Sequence, residues 1–345
     1  AIRAQHPGLK ILLTFFSPSG YEIRKNYPGA DWVFYLPSDT PSHAKAFVEA
    51  VKPVAAIFVK YEFWFNFMRE LHSREIPIVV ISAIFRARHP FFRWYGFWFR
   101  RKLQMVSRFY VQNEASGAVL RHAGLLQVMV SGDTRFDRVK AVASQPFSHP
   151  VAEAFAAGSK VLVAGSTWPP DEALLLNLMR KTTPHIKLLI APHEVDEPRV
   201  TQLVNDFANQ AVRLSKATPD EAAGARVLVV DSIGMLSQLY RFGHFAYIGG
   251  GFGVGTHNIL EAAVFGLPLF FGPNHQKFRE TIDLVRLRGA FPVNSAKCLE
   301  NIFNKVATDE YLYHQAHRAC LDYIDRNLGA TNVIMRGLKR FLAAR

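Results

Sequence analysis

Short apolar runs alternate along the chain with segments long enough to form helices. The first half contains six runs that we predict as strands: Lys10–Phe16, Trp32–Leu36, Val54–Val59, Pro77–Ala83, Arg108–Gln112 and Val128–Gly132. The second half contains five more: Lys160–Gly165, Ile186–Ala191, Arg226–Asp231, Phe245–Gly250 and Leu267–Phe271. Continuous apolar strands of this length are typical of parallel sheets covered on both faces, so the pattern predicts an α/β fold.

The two series are separated near Gln145–Pro150, where the sequence has neither period and carries two prolines. We therefore expect two doubly wound domains, residues 1–145 and residues 151–322, with a ligand cleft between the carboxyl ends of their strands. Residues 323–345 are expected to form a C-terminal helix that packs back on the first domain.

The segment Gly249–Pro273 carries the most informative candidate chemistry. Five glycines among seven residues follow the strand-like run Phe245–Ile248, and a helix is predicted over Asn258–Phe265. Such a loop would aim free backbone N–H groups and the positive end of the helix dipole at an anion. Glu261 lies one turn inside this helix, where its carboxylate could accept hydrogen bonds from ribose hydroxyls. A glycine turn that only packs a helix against a sheet is the alternative.

Three further strands of the second half end in small or polar residues. These ends are Gly165-Ser166-Thr167, Ala191-Pro192-His193-Glu194 and Asp231-Ser232-Ile233-Gly234-Met235. Each alone fits a helix cap or a turn, but together with the glycine loop they outline a nucleotide site.

The amino-acid composition does not change the predicted two-domain α/β fold. The 345 residues are 49% hydrophobic, enough for two domains, and no run of about 18 apolar residues predicts a membrane-spanning helix. Cys298 and Cys320 have no metal-ligand spacing, so neither a zinc site nor a disulfide framework is predicted.

The charge pattern points to anionic partners. The net charge is +13 and the isoelectric point about 9.8. In Phe85–Lys102, five arginines and a lysine alternate with aromatic residues, a mixture that suits an anionic membrane surface. Nucleic acid is not expected, because stacking aromatics for single strands usually decorate an open sheet or barrel. The alternative is a helix with an aromatic core side and a solvated basic side.

Several motifs together resemble the 3-deoxy-D-manno-octulosonic acid (Kdo) transferases across essentially the whole chain. They are Ser17-Pro18-Ser19-Gly20, Leu36-Pro37-Ser38-Asp39, Lys60-Tyr61-Glu62-Phe63-Trp64, Gln112-Asn113-Glu114, Gly132-Asp133-Thr134-Arg135-Phe136-Asp137, Gly165-Ser166-Thr167 and Gly255-Thr256-His257-Asn258-Ile259-Leu260-Glu261.

The resemblance implies a GT-B glycosyltransferase with two Rossmann-like domains facing across a cleft. The implied activity is transfer of Kdo from CMP-Kdo to the lipid A precursor (lipid IVA) in lipopolysaccharide biosynthesis, at the cytoplasmic face of the bacterial inner membrane. The implied reaction inverts the anomeric centre and uses neither a metal nor another cofactor.

The resemblance also implies which residues contact CMP: Pro192, His193, Ile233, Gly234, Met235, Asn258, Ile259, Leu260 and Glu261. One departure concerns His193, because many relatives have Pro-Arg-His where this chain has Pro192, His193 and Glu194. The positive group near the phosphate is then either the histidine or a basic residue from elsewhere.

A second departure concerns catalysis. The family's general base is a glutamate in a Gly-Glu motif, and none stands upstream of Lys10–Phe16. We therefore expect the first strand of the first domain, the base and the membrane-proximal helix to lie outside this sequence, and efficient transfer not to occur without them. Glu62 is the candidate for a supporting role, with an exposed carboxylate at a helix start as its alternative.

Two other classes stay open at this point. One is a different GT-B nucleotide-sugar enzyme, a UDP-sugar transferase or a relative of the 2-epimerases, which shares the glycine loop and Glu261. The other is a basic lipid-docking module without activity, favoured by Phe85–Lys102 and the missing base.

Overall fold

The computed structural model describes residues 1–93, 96–182 and 185–342. The chain forms two compact units, Ala1–Asp137 with Leu328–Arg345, and Arg138–Asn327. Both are parallel α/β structures, which confirms the predicted fold class; the domain limits drawn from the sequence stay a prediction. Within the described ranges, no helix is long and apolar enough to cross a membrane.

Strands and helices alternate regularly along the chain. Up to residue 143 they are α1 (Ile2–Gln5), β1 (Leu12–Phe15), α2 (Pro18–Arg24), β2 (Trp32–Tyr35), α3 (Pro41–Val51), β3 (Ala56–Val59), α4 (Phe65–Ser73), β4 (Ile78–Ala83), α5 (Phe97–Leu103), β5 (Arg108–Val111), α6 (Glu114–His122), β6 (Val128–Val130) and α7 (Thr134–Ala143). They continue as α8 (Pro150–Ala156), β7 (Lys160–Thr167), α9 (Pro169–Lys181), β8 (Ile186–Pro192), α10 (Glu197–Asp206), β9 (Ala211–Arg213), α11 (Pro219–Gly224), β10 (Val227–Val229), α12 (Leu236–Leu239), β11 (Phe245–Ile248), α13 (Leu260–Ala263), β12 (Leu269–Phe271), α14 (Arg279–Arg286), β13 (Ala290–Pro292), α15 (Ala296–Thr308), α16 (Glu310–Arg326) and α17 (Ala330–Leu342).

The first unit contains the six predicted strands, but they do not form one sheet. β1 pairs with β2, and β3, β4, β5 and β6 form a separate four-stranded sheet, all in parallel. Among the described strands, none pairs with both β1 and β3, so the two sheets are not joined by hydrogen bonds. Side chains of β4 alternate between two cores, with Val80 beside Phe109 on one face and Val79 beside Tyr110 and α17 on the other.

The second unit holds one seven-stranded parallel sheet in the order β13-β12-β11-β7-β8-β10-β9. All five strands predicted here are confirmed. β9 and β13 were missed, because each holds only two consecutive apolar residues, which is too short a run to indicate a strand. β7 lies at the centre between β8 and β11, and its apolar residues are buried.

The single helix predicted over residues 323–345 is two helices. α16 ends at Arg326, and α17 begins at Ala330 within the first unit. Gly329 has φ +105, a left-handed conformation that stops a helix. The Asp137 carboxylate then accepts the N–H groups of Gly329 at 2.7 Å and Thr331 at 2.6 Å, and so caps α17.

Candidate functional site

The carboxyl ends of β7, β8, β10 and β11 lie at one edge of the second unit's sheet, because these strands are parallel and mutually paired. This edge of an open α/β sheet is where ligands usually bind. It brings together the segments in which the sequence placed its nucleotide contacts: 165–167, 191–194, 231–235 and 249–261.

Three aromatic rings stack at this edge. The ring centroids of Trp168 and His193 are 4.6 Å apart, and those of His193 and His257 are 4.5 Å apart. Trp168 Nε1 donates a hydrogen bond to His257 Nε2 at 3.1 Å, and the His193 N–H donates to the Thr167 carbonyl at 2.9 Å. His193 is exposed, so the stack presents an aromatic surface to solvent. Sequence analysis missed Trp168 and His257, although each lies beside or inside a quoted motif.

His257 is held in its neutral form. Burial lowers its pKa, and the nearby charges of His193 and Lys277 lower that pKa further against the opposing effect of Asp171. Since Nε2 accepts the proton of Trp168, the ring's own proton belongs on Nδ1.

Lys277 is a cation that sequence analysis did not single out. Its side chain passes over the glycine loop, since a Cβ built on Gly255 would lie 3.8 Å from Lys277 Cδ. The residue is exposed, and its charge is felt at His257. The sequence contained no signal for this placement, because Lys277 lies sixteen residues after Glu261, beyond β12.

The buried Asp171 carboxylate holds the glycine loop in place through hydrogen bonds. This carboxylate, 1% exposed, accepts hydrogen bonds from the Trp168 N–H at 3.0 Å, the Tyr247 hydroxyl at 2.8 Å and the Gly250 N–H at 3.0 Å. Burial and the Asp171 charge raise the pKa of Tyr247, so this hydroxyl stays a donor. The start of α9 and the glycine loop are therefore fixed by one side chain.

The glycine loop differs from the predicted anion-binding loop with free backbone N–H groups. Most of its N–H groups donate to acceptors within the protein rather than pointing free: those of Gly249, Gly250, Gly253, Gly255, Thr256 and His257. The glycines serve close backbone packing instead. A Cβ on Gly249 would lie 2.1 Å from the Ser166 carbonyl oxygen, and one on Gly251 would lie 2.5 Å from Gly272 N.

The helix predicted over Asn258–Phe265 is only the four-residue α13, because the chain turns around Asn258 first. Asn258 Oδ1 accepts the Leu260 N–H at 3.2 Å, and Asn258 Nδ2 donates to Glu261 Oε1 at 3.0 Å. A single helical turn has only a small dipole, so α13 does not supply the positive helix end that was predicted to attract an anion. What remains is an oriented carboxylate at Glu261, half-buried, above the buried Ile259 and Leu260.

The segment Asp231–Met235, which follows β10, exposes backbone groups to solvent. Ile233 is 79% exposed, and Gly234 is exposed with φ +91. The Asp231 carboxylate fixes the start of this turn by accepting the Ser215 N–H at 3.0 Å. Met235 then occupies the N-cap position of α12, without a side-chain hydrogen bond to the helix. The turn therefore offers main-chain groups at the same sheet edge as Pro192 and His193.

Glu62 lies in the first unit, just after β3. It is exposed, and Trp64 Nε1 donates to its Oε2 at 2.7 Å. Lys60 before it has φ +59, an uncommon left-handed conformation for a lysine at a strand end. The structure gives Glu62 a defined orientation, and its role stays a prediction.

The basic and aromatic segment Phe85–Lys102 divides into two parts. Phe85, Phe91 and Phe92 pack in the core of the first unit, as the alternative interpretation expected. Phe97 and Trp98 are 66% and 57% exposed, and Lys102 Nζ lies 3.3 Å from the Trp98 ring centroid. Four arginines of the segment are also exposed: Arg86, Arg88, Arg93 and Arg101. Trp94 and Tyr95 lie outside the described residues.

No group of three or more His, Cys, Asp or Glu side chains in the described part of the chain could hold a metal ion. The ionisable side chains at the sheet edge that could contact a ligand include His193, Glu261 and Lys277.

Two parallel-sheet units of this kind define the GT-B class of folds. The crystal structure of UDP-GlcNAc 2-epimerase from Neisseria meningitidis bound to UDP-GlcNAc shares this fold, with a TM-score of 0.63 and 17% identity over 96% of this chain and 91% of that one. Sequence comparison shows a similarity to one family of enzymes. The family model for 3-deoxy-D-manno-octulosonic-acid transferase (kdotransferase) matches residues 1–138.

Curated relatives cover nearly all of the chain. The 3-deoxy-D-manno-octulosonic acid transferase of Haemophilus influenzae is 26% identical over 358 residues, covering 99% of this chain and 82% of that protein. A bifunctional glycosyltransferase/methyltransferase of Fusobacterium nucleatum is 23% identical over 95% of this chain, which spans only 53% of that relative's length. Over most of its length the chain is therefore similar to Kdo transferases, which are glycosyltransferases.

Proposed function

We propose that the protein transfers Kdo from CMP-Kdo to lipid IVA in lipopolysaccharide biosynthesis, at the cytoplasmic face of the inner membrane. The similarity to Kdo transferases supports Kdo as the transferred sugar. The proposed donor site rests on one observation. The Asn258–Glu261 pair, the ring stack and the exposed Ile233–Met235 turn all lie at the same sheet edge.

Each part of this edge suits one part of CMP. The Glu261 carboxylate, oriented by Asn258, would accept hydrogen bonds from the ribose hydroxyls. The exposed backbone of Ile233–Met235 would contact the cytosine with Pro192. Because most of the glycine-loop N–H groups donate to acceptors within the protein, the phosphate would contact His193 and Lys277.

In the proposed reaction a sugar hydroxyl of the lipid attacks the anomeric carbon of Kdo. The new C–O bond forms as the bond to the CMP phosphate breaks, with inversion, and a carboxylate base takes the hydroxyl proton. The positive side chains would stabilise the departing phosphate, so that no metal is needed. We assign Glu62 a supporting role at the acceptor, and its Gln variant tests that role by turnover.

The direct test supplies the intact protein with CMP-Kdo and lipid IVA and follows the lipid by mass spectrometry. We expect the lipid mass to increase by Kdo units, the anomeric configuration to invert, and excess EDTA to leave the rate unchanged. A lipid without added Kdo, or epimerisation of UDP-GlcNAc by the same preparation, would overturn the proposal.

We further propose that Phe97, Trp98 and the exposed arginines dock on an anionic bilayer, which would present the lipid acceptor. Sedimentation with phosphatidylglycerol vesicles should fall when Phe97 and Trp98 are replaced by Ser. Tyr311→Ser, a similarly exposed aromatic in the second unit, is the matched control. Equal sedimentation of both variants would rule out docking through this segment.

A further inference from the structure

A small cavity lies beside Glu261, the residue that the proposed donor site assigns to the ribose of CMP. Its volume is about 40 Å³. Three polar residues and three valines of the second unit line it: Arg138, Ser237, Glu261, Val139, Val142 and Val264. The three polar side chains therefore share a small space with apolar walls.

α7 contributes a cation to this cavity. Arg138 and Val142 are four residues apart on α7 and so lie on the same side of the helix. Arg138 is exposed, and its guanidinium has no hydrogen-bond or ion-pair partner among the residues that the structure describes. Lys140, two residues further along α7, is instead paired with Asp325 at 2.8 Å. The positive charge of Arg138 can therefore act on a group in the cavity.

α12 contributes a hydroxyl to the cavity. Ser237 is the second residue of this helix and follows the Ile233–Met235 turn, which we assign to the cytosine. The residue is half-buried, and a serine hydroxyl both donates and accepts hydrogen bonds. The cavity therefore adjoins the segment assigned to the base as well as the carboxylate assigned to the ribose.

The Glu261 carboxylate is held at one of its two oxygens. Asn258 Nδ2 donates to Glu261 Oε1 at 3.0 Å. One hydrogen bond at one oxygen leaves a carboxylate able to turn about the bond to its carbon chain. A second contact would fix the plane of the group. A carboxylate can accept about four hydrogen bonds, so this contact would still leave room for ribose hydroxyls.

Water can supply that second contact. Arg138 and Glu261 line the same cavity without forming a salt bridge, and polar groups too far apart to bond directly can be joined by water. On the same measure of volume, roughly 10–15 Å³ suffices for one water molecule, which needs about two to four polar partners. The cavity exceeds this volume and offers the guanidinium, the Ser237 hydroxyl and the carboxylate.

We propose that water in this cavity joins Arg138 to Glu261, and that Arg138 is thereby a positioning residue of the donor site. The inference rests on the proposed function, in which Glu261 accepts hydrogen bonds from the ribose hydroxyls of CMP. The guanidinium donates to the water, the water donates to the carboxylate, and Ser237 holds the water in place. The valine walls strengthen these contacts, because polar interactions are stronger in apolar surroundings.

Two nucleotides that differ only in the ribose hydroxyls test this proposal. Calorimetric titration of residues 1–345 compares CMP with 2′,3′-dideoxy-CMP, which lacks both hydroxyls. We expect the wild-type protein to bind CMP about tenfold more tightly, and Glu261→Ala to lose this preference. Arg138→Gln should lower the preference at least about threefold and leave the affinity for dideoxy-CMP unchanged, because the water-mediated contact acts only through Glu261.

Three further variants separate positioning from a general effect of charge. Arg138→Lys keeps a cation that can donate to the water and should retain most of the preference. Arg180→Gln removes an exposed cation from the last turn of α9, shortly before β8 begins, and should behave as wild type. Val142→Leu adds a methylene group to the cavity wall without changing any charge. By displacing the water it should lower the preference as Arg138→Gln does, while thermal melting shows that the variant is folded.

Four results would overturn the proposal. A wild-type preference in Arg138→Gln, together with its loss in Glu261→Ala, would remove the positioning role without affecting the proposed donor site. Retention of the preference in Glu261→Ala would refute the ribose assignment, and the inference with it. Equal weakening of both nucleotides by Arg138→Gln would show that Arg138 contacts a part they share, such as the phosphate. A wild-type preference in Val142→Leu would show that no water joins the two side chains.

Discussion

The carboxylate of Asp171 accepts the backbone N–H of Gly250 at 3.0 Å, although 79 residues separate them in the chain. Through this bond the first turn of α9 holds the glycine loop against the end of β7. The loop's shape is therefore set by a buried acidic group beneath it, before any ligand binds.

Replacing Asp171 with Ala should destabilise the second unit by about 3 kcal/mol or more, because the Trp168 N–H, the Tyr247 hydroxyl and the Gly250 N–H would lose their acceptor. Urea unfolding measures this cost. Asp196→Ala removes an exposed helix cap of α10 and should cost only about 1 kcal/mol. Equal costs for the two variants would contradict the anchoring role.

Gly249→Ala should distort the glycine loop, because the added methyl group would lie 2.1 Å from the Ser166 carbonyl oxygen. We expect a loss of about 1–3 kcal/mol, measured by thermal unfolding. Gly224→Ala is the control, since nothing lies within 4 Å of its Cβ position. If Gly249→Ala were as stable as Gly224→Ala, the close approach of the two backbones would be refuted.

Lys277→Gln should weaken CMP binding by about tenfold, because the phosphate would lose a charged partner. Lys305→Gln, in the exposed last turn of α15, removes the same charge far from the sheet edge. Titration calorimetry at two salt concentrations should show that only Lys277→Gln reduces the salt dependence. Matching affinities for the two variants would leave Lys277 without a role.

Acidification should destabilise the second unit through His257. Its pKa in the folded state lies below the ordinary value of about 6.5, so the unfolded chain takes up the proton first as pH falls. The stability is complete above about pH 6.5 and is lost as pH falls towards the folded-state pKa. His257→Gln keeps an acceptor for Trp168 and should flatten the pH dependence. His244, whose pKa burial also lowers, would leave a residual slope. An unchanged slope in His257→Gln would contradict this assignment.

Sequence patterns predicted the strands well because each contained a run of three or more consecutive apolar residues and ended in a turn. β9 (Ala-Val-Arg) and β13 (Ala-Phe-Pro) escaped because each holds only two consecutive apolar residues before an arginine or a proline. The split of the first sheet could not be predicted, because apolar sequence indicates burial but does not name the pairing partner. β1 and β3 show the consequence: both have the sequence of covered strands, and both have an open edge.

The candidate site also contains some residues that the sequence could predict and others that it could not. Asn258 and Glu261 could be singled out because their motif is contiguous, and the structure joins them by a hydrogen bond. Trp168 and Lys277 could not, since their positions depend on how separate strand ends converge. The glycines of the loop did not reveal whether its N–H groups are free to bind an anion. The same residues that free a loop to bind an anion also permit backbones to pack closely, and here packing uses most of the N–H groups.

Titration of residues 1–345 with CMP and with UDP tests the donor site most directly. We predict that CMP binds at least about tenfold more tightly than UDP, a difference of about 1.4 kcal/mol, and that Glu261→Ala weakens the binding of both, because the ribose contact is common to them. Binding of UDP as tight as that of CMP, or no binding of CMP, would contradict a CMP-sugar site at this sheet edge.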